Sequence, residues 1–249
     1  MRRILITGAT SAIGSALAWE YAAPGVSLIL HGRRQEVLAR VAQACEARGA
    51  TVQCHGLDVR DGPALQAWLA GLEPLDLVVI NAGMNTHVGP CGEPEPWDEV
   101  DALLDVNLKA SMRIAQAVLP AMRARGRGQI AFMSSLAGYF GLPVTPAYSA
   151  SKAGLKAYGE ALRGWLAPEG IRVNVIMPGY VESPMCAAMP GPKPFLWPPG
   201  RAARVIRRGL ARDRARISFP FPLNWGTWWL AVLPAVLSHR IVRWMGYGA

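Results

Sequence analysis

Two side chains with acid–base chemistry, Tyr148 and Lys152, stand four residues apart in the segment YSASK. This spacing places both on one face of a helix, one turn from each other. A tyrosine with its ordinary pKa of about 10 is a poor acid–base catalyst at neutral pH, but a nearby ammonium stabilises the phenolate and lowers that pKa. The pair therefore predicts a proton donor and acceptor, with an ordinary solvated helix face as the alternative.

Apolar runs bounded by turn residues alternate along the chain with segments of helical spacing. Strands are predicted at 3–7, 26–30, 51–55, 75–80, 129–134 and 171–177, and helices near 12–22, 34–48, 62–71, 97–124 and 147–167. Nearly all-apolar strands alternating with helices are typical of a parallel sheet covered on both faces. We therefore expect an α/β chain with a doubly wound parallel sheet, in a single domain over residues 1–249.

A glycine turn, TGATSAIG, joins the first strand to the first helix. Gly8 permits the tight turn, and Gly14 lets the helix pack closely on the strand, so that N–H groups at the helix start face the pyrophosphate of a dinucleotide. The position after the first strand favours this interpretation over a plain tight turn. The predicted contacts are Gly8, Thr10, Ser11, Ala12, Ile13 and Gly14.

This turn resembles the TGxxxGIG motif of the short-chain dehydrogenase/reductase family, with Ala12 where that family usually has its middle glycine. Other motifs similar to those of the family follow in its order: LDV after the third strand, INAG after the fourth, then VNL, SSLAG, YSASK, and PG after the sixth strand. The resemblance covers roughly residues 2–185. It implies a Rossmann fold and a nicotinamide-dependent oxidoreductase.

The resemblance also implies a role for each matched residue. Tyr148 is implied as proton donor in reduction and acceptor in oxidation, and Lys152 as its partner and a donor to the nicotinamide ribose. Ser135, rather than its neighbour Ser134, is implied to polarise the substrate oxygen, and Asn107 to anchor a water in a proton relay. The remaining implied cofactor contacts are Asp58 at the adenine, Ser183 near the carboxamide, and Val59, Asn81, Ala82, Gly83, Pro178, Gly179 and Val181.

The residues that follow the second strand bear on which nicotinamide cofactor binds. An NAD site usually carries an acidic residue there, but the chain reads HGRR, and Glu36 already lies on the next helix. A guanidinium matches a 2′-phosphate with paired hydrogen bonds, so Arg33 or Arg34 favours NADP(H). The alternative is two exposed arginines beside NAD(H).

The net charge of +9 favours an anionic partner, either a phosphorylated cofactor or a membrane surface. No basic stripe with interleaved aromatic residues predicts nucleic-acid binding. The 4 cysteines and 4 histidines are dispersed, so we expect reduced thiols and no metal site. With no secretory signal recognised, we expect a cytoplasmic protein, with peripheral attachment to the inner face of a membrane as one alternative.

Two segments extend beyond the resemblance. The proline- and glycine-rich stretch 183–200 predicts a long loop, either a substrate lid or a passive surface connection. Residues 201–216 carry seven arginines and predict a helix with a solvated face. The extension 219–249 is apolar and aromatic-rich, but its run TWWLAVLPAVL is shorter than the roughly 20 residues of a spanning helix.

The apolar residues of this extension recur at helical spacing, at Leu230, Leu233, Leu237, Ile241 and Trp244. Its polar residues lie elsewhere, at Ser238, His239 and Arg243. Tryptophans and leucines beside basic residues indicate an interfacial helix in contact with a membrane. A dimer interface, a flap over an apolar pocket and ordinary packing are the other interpretations.

These observations predict NADP(H)-dependent reduction of a ketone or aldehyde, or oxidation of the alcohol, by a homodimer. We expect an apolar substrate such as an acyl, steroid-like or terpenoid carbonyl. One alternative is a related enzyme that acts on a sugar or polyol. The other is a non-catalytic NADP-sensing or scaffold protein, which has no need of Ser135, Tyr148 and Lys152 together.

Overall fold

Seven parallel strands form one sheet in the computed structural model, which describes residues 1–247. The strands are β1 (Arg2–Ile6), β2 (Val26–His31), β3 (Thr51–His55), β4 (Leu77–Ile80), β5 (Gly128–Met133), β6 (Ile171–Pro178) and β7 (Arg216–Phe219). Their order across the sheet is β3-β2-β1-β4-β5-β6-β7, which reverses between β1 and β4. The predicted doubly wound α/β fold of the Rossmann type is confirmed.

Helices cover both faces of this sheet. They are α1 (Ala12–Tyr21), α2 (Gln35–Glu46), α3 (Gly62–Ala70), α4 (Trp97–Leu104), α5 (Ala110–Ala124), α6 (Pro146–Leu166), α7 (Pro184–Ala188), α8 (Pro199–Ala211), α9 (Leu223–Val232) and α10 (Ala235–Val242). One core joins α1, α2 and α8 to the sheet around Leu17 and Ile206. The other joins α3, α5 and α6 to it around Ile114 and Leu155. Burial on both faces explains the nearly all-apolar central strands.

The single helix predicted over 97–124 is interrupted. A π-helical turn, Asp105–Lys109, separates α4 from α5. Such a turn holds one more residue than an α-helical turn and is frequent at functional sites. Here it carries Asn107, which is fully buried, and the Ser111 hydroxyl donates to the Asn107 carbonyl oxygen at 2.8 Å.

The prediction of a helix over 201–216 is wrong at its C-terminal end. α8 ends at Ala211, and Asp213, at a φ of 48°, turns the chain into β7. Arg163 Nη1 donates to Asp213 Oδ1 at 2.8 Å and Asn174 Nδ2 donates to it at 2.9 Å, which fixes this turn against β6. A four-residue strand carries too little pattern to be recognised. The arginines of α8 are exposed, but its other face is buried through Ala202, Ala203, Ile206 and Leu210.

The stretch 183–200 is not all loop. Pro184 begins the short helix α7, where proline is tolerated in the first turn, and the Ser183 hydroxyl caps it by accepting from the Cys186 N–H at 3.0 Å. Further along, the Trp197 N–H donates to the Tyr180 carbonyl oxygen at 3.0 Å. The stretch is thereby attached to the chain just after β6.

The C-terminal extension forms two short helices rather than one continuous apolar face. The helical conformation is interrupted at Pro234, which precedes the first residue of α10. The buried Ser238 hydroxyl donates to the Leu230 carbonyl oxygen at 2.8 Å. Leu237 and Trp244, expected to share a face with Leu230, are instead 46% and 87% exposed. Within residues 1–247 no helix is both long and apolar enough to span a bilayer. The last two residues of the extension lie outside the described residues.

Candidate active site

A cleft of about 840 Å³ opens at the carboxyl ends of the strands. It lies where the strand order reverses, which is where open α/β sheets bind ligands. The predicted site residues line it, except for Gly14 and Asn107, which are both buried. The lining contains Gly8, Thr10, Ser11, Ala12, Ile13, Arg33, Arg34, Asp58, Val59, Asn81, Ala82, Gly83, Ser135, Tyr148, Lys152, Pro178, Gly179, Val181 and Ser183. In the described part of the chain, no cluster of three or more His, Cys, Asp or Glu side chains could hold a metal.

Main-chain geometry shapes the turn after β1. Gly8 has a φ of 64°, and a Cβ on it would lie 2.8 Å from the Cα of Ala82, so the position requires glycine. Ser11 caps α1 by accepting from the Gly14 N–H at 3.1 Å, and a Cβ on Gly14 would collide with the Gly8 carbonyl oxygen. The turn brings the N-terminus of α1 to the cleft without a side chain at either glycine, and a dinucleotide pyrophosphate fits such a cradle.

Asn81 braces this turn. Its Nδ2 donates to the carbonyl oxygens of Thr7 and Gly8, both at 3.0 Å, and to Ser11 Oγ at 3.1 Å. The Thr7 hydroxyl in turn accepts from the main-chain N–H groups of Asn81 and Ala82 at 3.0 and 3.1 Å. The Asn81 amide, expected to contact cofactor, therefore holds the turn in place. Thr7 shares that task, although sequence reasoning assigned it none.

Arg33 and Arg34 both line the cleft, with different partners. The Arg34 guanidinium donates to the Thr10 carbonyl oxygen, which ties it to the glycine turn. The Arg33 side chain is 68% exposed and its Nη1 lies 3.7 Å from Asp58 Oδ2. Arg60, which sequence reasoning missed, donates to the same carboxylate at 2.7 Å, and this hydrogen bond is the main reason that the pKa of Asp58 lies below its ordinary value. Arg33 is thus free to turn toward an anion.

Tyr148 and Lys152 occupy the first turns of α6, and both face the cleft. Lys152 is 4% exposed, and its Nζ donates to the Met133 carbonyl oxygen at 2.8 Å while lying 5.5 Å from the centre of the Tyr148 ring. Burial lowers the pKa of Lys152 to about 8. The helix therefore brings the expected pair together, with a lysine that is mainly charged at neutral pH.

The pKa of Tyr148 differs from the sequence expectation. Burial raises it above the ordinary value of 10.0, and the interaction with the Ser135 hydroxyl opposes this only in part. Because the Lys152 ammonium is directed at the Met133 carbonyl oxygen, it does not offset the effect of burial on the pKa of Tyr148. At neutral pH, Tyr148 consequently carries its proton.

The two adjacent serines have separate tasks. Ser135 Oγ accepts from the Ala137 N–H at 3.1 Å at the start of a 3₁₀ turn, which holds the hydroxyl beside Tyr148. The buried Ser134 hydroxyl donates to the Lys152 carbonyl oxygen at 2.7 Å and so fastens β5 to α6. Ser135 is therefore the serine free to meet a substrate oxygen.

Asn107 links three parts of the site from behind. Its Oδ1 accepts from the Met84 N–H at 2.9 Å, and its Nδ2 donates to the Met84 carbonyl oxygen at 3.0 Å and to Ser151 Oγ at 3.1 Å. Gly83 lies between, since a Cβ there would be 3.2 Å from Asn107 Oδ1 and 3.5 Å from Lys152 Nζ. Asn107 thus ties the segment that follows β4 to helix α6. Sequence reasoning missed Met84 and Ser151.

The outer part of the cleft is apolar, and its walls come from α7, α9, α10 and the connecting segments. The apolar side chains are Met84, Leu142, Met185, Met189, Leu223, Trp229, Leu230, Leu233, Ile241, Val242 and Met245. Of these, only Leu230, Leu233 and Ile241 were singled out from the sequence. A site of this kind suits a substrate with a large apolar surface.

A pair of tyrosines fastens the extension to the rest of the cleft. The Tyr180 and Tyr247 hydroxyl oxygens are 2.6 Å apart, and the Tyr247 hydroxyl donates to the Pro192 carbonyl oxygen. Because that hydrogen is committed to Pro192, Tyr180 is the donor between the two phenols. The Tyr247 ring also lies against Gly191, where a Cβ would approach it to 3.1 Å. The end of the extension therefore contacts both the stretch 183–200 and the turn after β6.

The sequence model of a known family, described as short chain dehydrogenase, matches residues 2–191. The chain belongs to the short-chain dehydrogenase/reductase family. It is an oxidoreductase of that family, as the sequence motifs predicted, and the fold supports a nicotinamide cofactor and a small-molecule substrate. The matched region stops before α8, so the family pattern covers the cradle and catalytic helix but not the extension.

Individual relatives extend this comparison. An uncharacterized oxidoreductase of Myxococcus xanthus is 38% identical over 246 residues, which cover 97% of this chain and 96% of that protein. The 3-dehydrosphinganine reductase TSC10B of Arabidopsis thaliana is 36% identical over 187 residues, 74% of this chain and 56% of that protein. A crystal structure of a variant actinorhodin polyketide ketoreductase with NADPH has a TM-score of 0.78 at 26% identity, covering 87% of this chain and 94% of that one.

Proposed function

We propose that this oxidoreductase interconverts an apolar ketone or aldehyde and its alcohol with NADP(H). One observation carries the proposal. Tyr148, Ser135 and Lys152 converge on the inner wall of a cleft whose outer walls are apolar. The raised pKa of Tyr148 keeps a proton on the phenol at neutral pH, where a donor to a developing alkoxide is needed.

Each residue has a distinct task in this mechanism. A bound nicotinamide would supply or accept the hydride. The Ser135 hydroxyl orients the carbonyl oxygen and stabilises its developing charge, and Tyr148 protonates it. The Lys152 ammonium, charged below a pKa of about 8, stabilises the phenolate that remains. Asn107 is a positioning residue, because it holds Met84 and Ser151 rather than facing the cleft. Its water relay to Lys152 stays a prediction.

The preference for NADP(H) is supported by charge at the end of β2. No carboxylate lies on the segment HGRR, and the exposed Arg33 can turn from Asp58 toward a 2′-phosphate. Arg34 already contacts the glycine turn through Thr10. NADPH in the structure of the polyketide ketoreductase relative agrees with this preference. The other cofactor contacts that we propose are made by the predicted residues that line the cleft, with Asp58 and Val59 beside the adenine.

The apolar substrate is supported by the walls of the outer cleft. A sugar or polyol needs hydrogen-bonding partners there, and the methionines, leucines and Trp229 provide few. The name of the Arabidopsis relative, a 3-dehydrosphinganine reductase, agrees with a ketone substrate.

We further propose that 183–200 acts as a lid, that residues 219–249 belong to the same domain as the rest, and that the protein is a cytoplasmic homodimer.

Titration of intrinsic tryptophan fluorescence with NADPH and NADH tests the cofactor. We expect NADPH to bind more tightly, and Arg33→Ala/Arg34→Ala to weaken NADPH about 10- to 100-fold while leaving NADH unchanged. The matched control is Arg204→Ala/Arg208→Ala, which removes two exposed arginines from α8. Equal affinity for both cofactors would contradict the NADP(H) assignment.

NADPH consumption with paired carbonyl compounds then tests the reaction. We expect turnover with long-chain or polycyclic ketones and little with ketoses. Consumption of ketoses alone would establish the sugar or polyol alternative. Tight NADPH binding without consumption of any carbonyl would favour the NADP-sensing or scaffold alternative.

A further inference from the structure

Helix α9 is apolar on two opposite faces. Leu223, Thr227 and Leu230, spaced by four and three residues, face inward and line the cleft. The other face carries Trp225, Trp228 and Val232, which are 60%, 39% and 53% exposed. Their spacing of three and four residues places all three together, and Trp229, which also lines the cleft, lies at the edge of this face. A helix that is apolar all round is normally covered on every side, so the outer face of α9 requires an apolar partner.

Helix α10 and the segment after it also expose apolar side chains. Ser238 and Val242 are buried against the protein, and the ring of His239 lies 5.6 Å from that of Phe140, so α10 is held in place. Val236, Leu237 and Trp244 are 64%, 46% and 87% exposed. Arg240 and Arg243 are exposed beside them. We call Trp225, Trp228, Val232, Val236, Leu237, Trp244, Arg240 and Arg243 the tail face.

The charges of the tail face all have one sign. Residues 217–249 contain two arginines and one histidine, and neither an aspartate nor a glutamate. If two copies of the chain met through this face, the two-fold symmetry would bring Arg240 and Arg243 of both copies close together without a carboxylate of the extension to pair with them. Like charges that meet in this way weaken the contact. The tail face therefore suits an anionic apolar partner better than a second copy.

We propose that the tail face docks on the surface of an anionic phospholipid bilayer, with α9 and α10 lying in the interface. Tryptophan side chains favour the level of the lipid headgroups, and arginines beside them reach phosphate while their stems stay on apolar surface. Each basic residue near an anionic surface strengthens such binding, and salt weakens it. The helices have 10 and 8 residues, which fits lying on a bilayer rather than crossing it.

Docking in this orientation connects the bilayer to the cleft. The inner face of α9 lines the cleft through Leu223 and Leu230, and its outer face would rest in lipid, so one helix separates the two apolar environments. Ile241, on α10, lines the cleft and is also 38% exposed, so its side chain reaches both the cleft and the outer surface. The inference that an apolar substrate reaches Tyr148 from the lipid rests on the proposed function. The inference that the tail face docks on the bilayer does not.

Co-sedimentation with vesicles tests the docking. We expect wild type to bind vesicles of mixed phosphatidylglycerol and phosphatidylcholine at least about tenfold more tightly than vesicles of phosphatidylcholine alone. Trp225→Ser/Trp228→Ser/Trp244→Ser should weaken binding at least about tenfold, and Arg240→Gln/Arg243→Gln about thirtyfold. The matched control is Trp19→Ser/Trp97→Ser/Trp165→Ser, which removes three exposed tryptophans from other surfaces and should leave binding unchanged.

NADPH titration of each variant, read from the cofactor fluorescence, verifies that the cleft is folded, because none of the substituted residues lines it. Wild type that stays in the supernatant with both vesicle types would overturn the proposal, as would equal loss of binding in the control variant.

Sedimentation velocity tests whether the tail face instead contacts a second copy of the chain. A dimer that dissociates only in the Trp225/Trp228/Trp244 variant, without vesicle binding by wild type, would make the tail face a self-contact. Loss of turnover with normal vesicle binding would count against the proposed reaction and leave the docking standing.

Discussion

The cleft has two halves that are built differently. The nucleotide half consists of the turns after β1, β2, β3 and β4, each a few residues long and placed by the sheet. The substrate half is assembled mainly from residues 180–247, together with Met84 and Leu142. Its contacts join distant parts of the chain, such as Tyr180 and Tyr247, which are 67 residues apart. The first half is specified by main-chain geometry. The second is specified by packing between side chains.

This difference determines how strictly each half fixes its residues. At Gly8 the left-handed φ and the approach of Ala82 exclude any side chain. In the substrate half many apolar residues could fill the same volume, because apolar packing requires size and shape rather than one residue type. The nucleotide half should therefore lose function through single small changes, and the substrate half should change selectivity instead.

The largest effect is expected where the two halves meet. Tyr148→Phe removes the proton donor and nothing else from the cleft, so kcat should fall about 10³-fold while the Kd for NADPH stays within about twofold. Steady-state kinetics and a fluorescence titration of the same preparation measure both. Tyr158→Phe, on the same helix and edge-on to Phe132, is the control and should keep full activity. Turnover above a tenth of wild type in Tyr148→Phe would exclude the phenol as proton donor.

A pair of glycines tests the nucleotide half next. Gly8→Ala forces a Cβ against Ala82 and should weaken NADPH at least about thirtyfold, together with a loss of about 2 kcal/mol in the free energy of unfolding. Gly25 has a similar φ, 81°, but nothing lies within 4 Å of its Cβ position. Gly25→Ala should therefore cost about 1 kcal/mol of stability and leave NADPH affinity unchanged. If both variants lost affinity equally, strain rather than contact would explain the requirement at Gly8.

What sequence reasoning found follows the same division. Six of the seven strands, the glycine turn and the pair on α6 carry local signals, because each lies in a short stretch with its own period or motif. β7 has four residues and depends on the buried link from Gln129 to Asn174, at 2.7 Å, and on to Asp213. No local sequence pattern predicts a hydrogen bond between residues so far apart in the chain.

The same reasoning explains what was misjudged in the extension. Apolar residues at helical spacing predicted one face through Leu230, Leu237 and Trp244, but Pro234 starts a new helix with its own inward direction. The inward positions then fall to Ser238 and Val242, and the serine hydroxyl donates to a carbonyl oxygen of the preceding helix. Which of several apolar stripes is buried depends on the partner surface, and periodicity within one segment does not contain that surface.

The titration of Lys152 gives a smaller effect at the boundary of the two halves. The pKa of Lys152 is about 8 in the folded protein and 10.5 in the unfolded chain, so between these pH values the unfolded chain binds more protons and stability rises with pH. From pH 7 to pH 9 the free energy of unfolding of wild type should rise by about 1.4 kcal/mol relative to Lys152→Met.

Urea denaturation of both proteins at each pH measures this difference. Lys156→Met, one turn further along α6, should keep the wild-type rise. A rise of equal size in Lys152→Met would mean that burial of Lys152 does not depress its pKa in the folded protein. Such a result would also mean that burying Lys152, a proposed catalytic residue, does not reduce the stability of the fold below pH 8.

The smallest effect concerns the hydrogen bonds that close the substrate half. Tyr247→Phe keeps the ring against Gly191 but removes the hydroxyl that joins Tyr180 to Pro192. Two hydrogen bonds are lost, one from Tyr180 and one to Pro192, and at about 0.5 kcal/mol each, KM for a bulky apolar ketone should rise about fivefold with kcat nearly unchanged. A small ketone that never reaches the outer cleft should show no change, and it provides the internal control.

Tyr180→Phe should give about half of this effect in free energy, because it removes only the hydrogen bond between the two phenols. Tyr180→Phe/Tyr247→Phe should match Tyr247→Phe alone, since that bond is already lost in the single variant. Additive effects would instead mean that each phenol acts separately, Tyr180 on the substrate and Tyr247 on Pro192. A fall in kcat for both ketones would show that the extension positions Tyr148 as well. In that case the two halves of the cleft would be coupled through the chain after β6. The contrast between a strict nucleotide half and an adaptable substrate half would then apply to ligand binding but not to kcat.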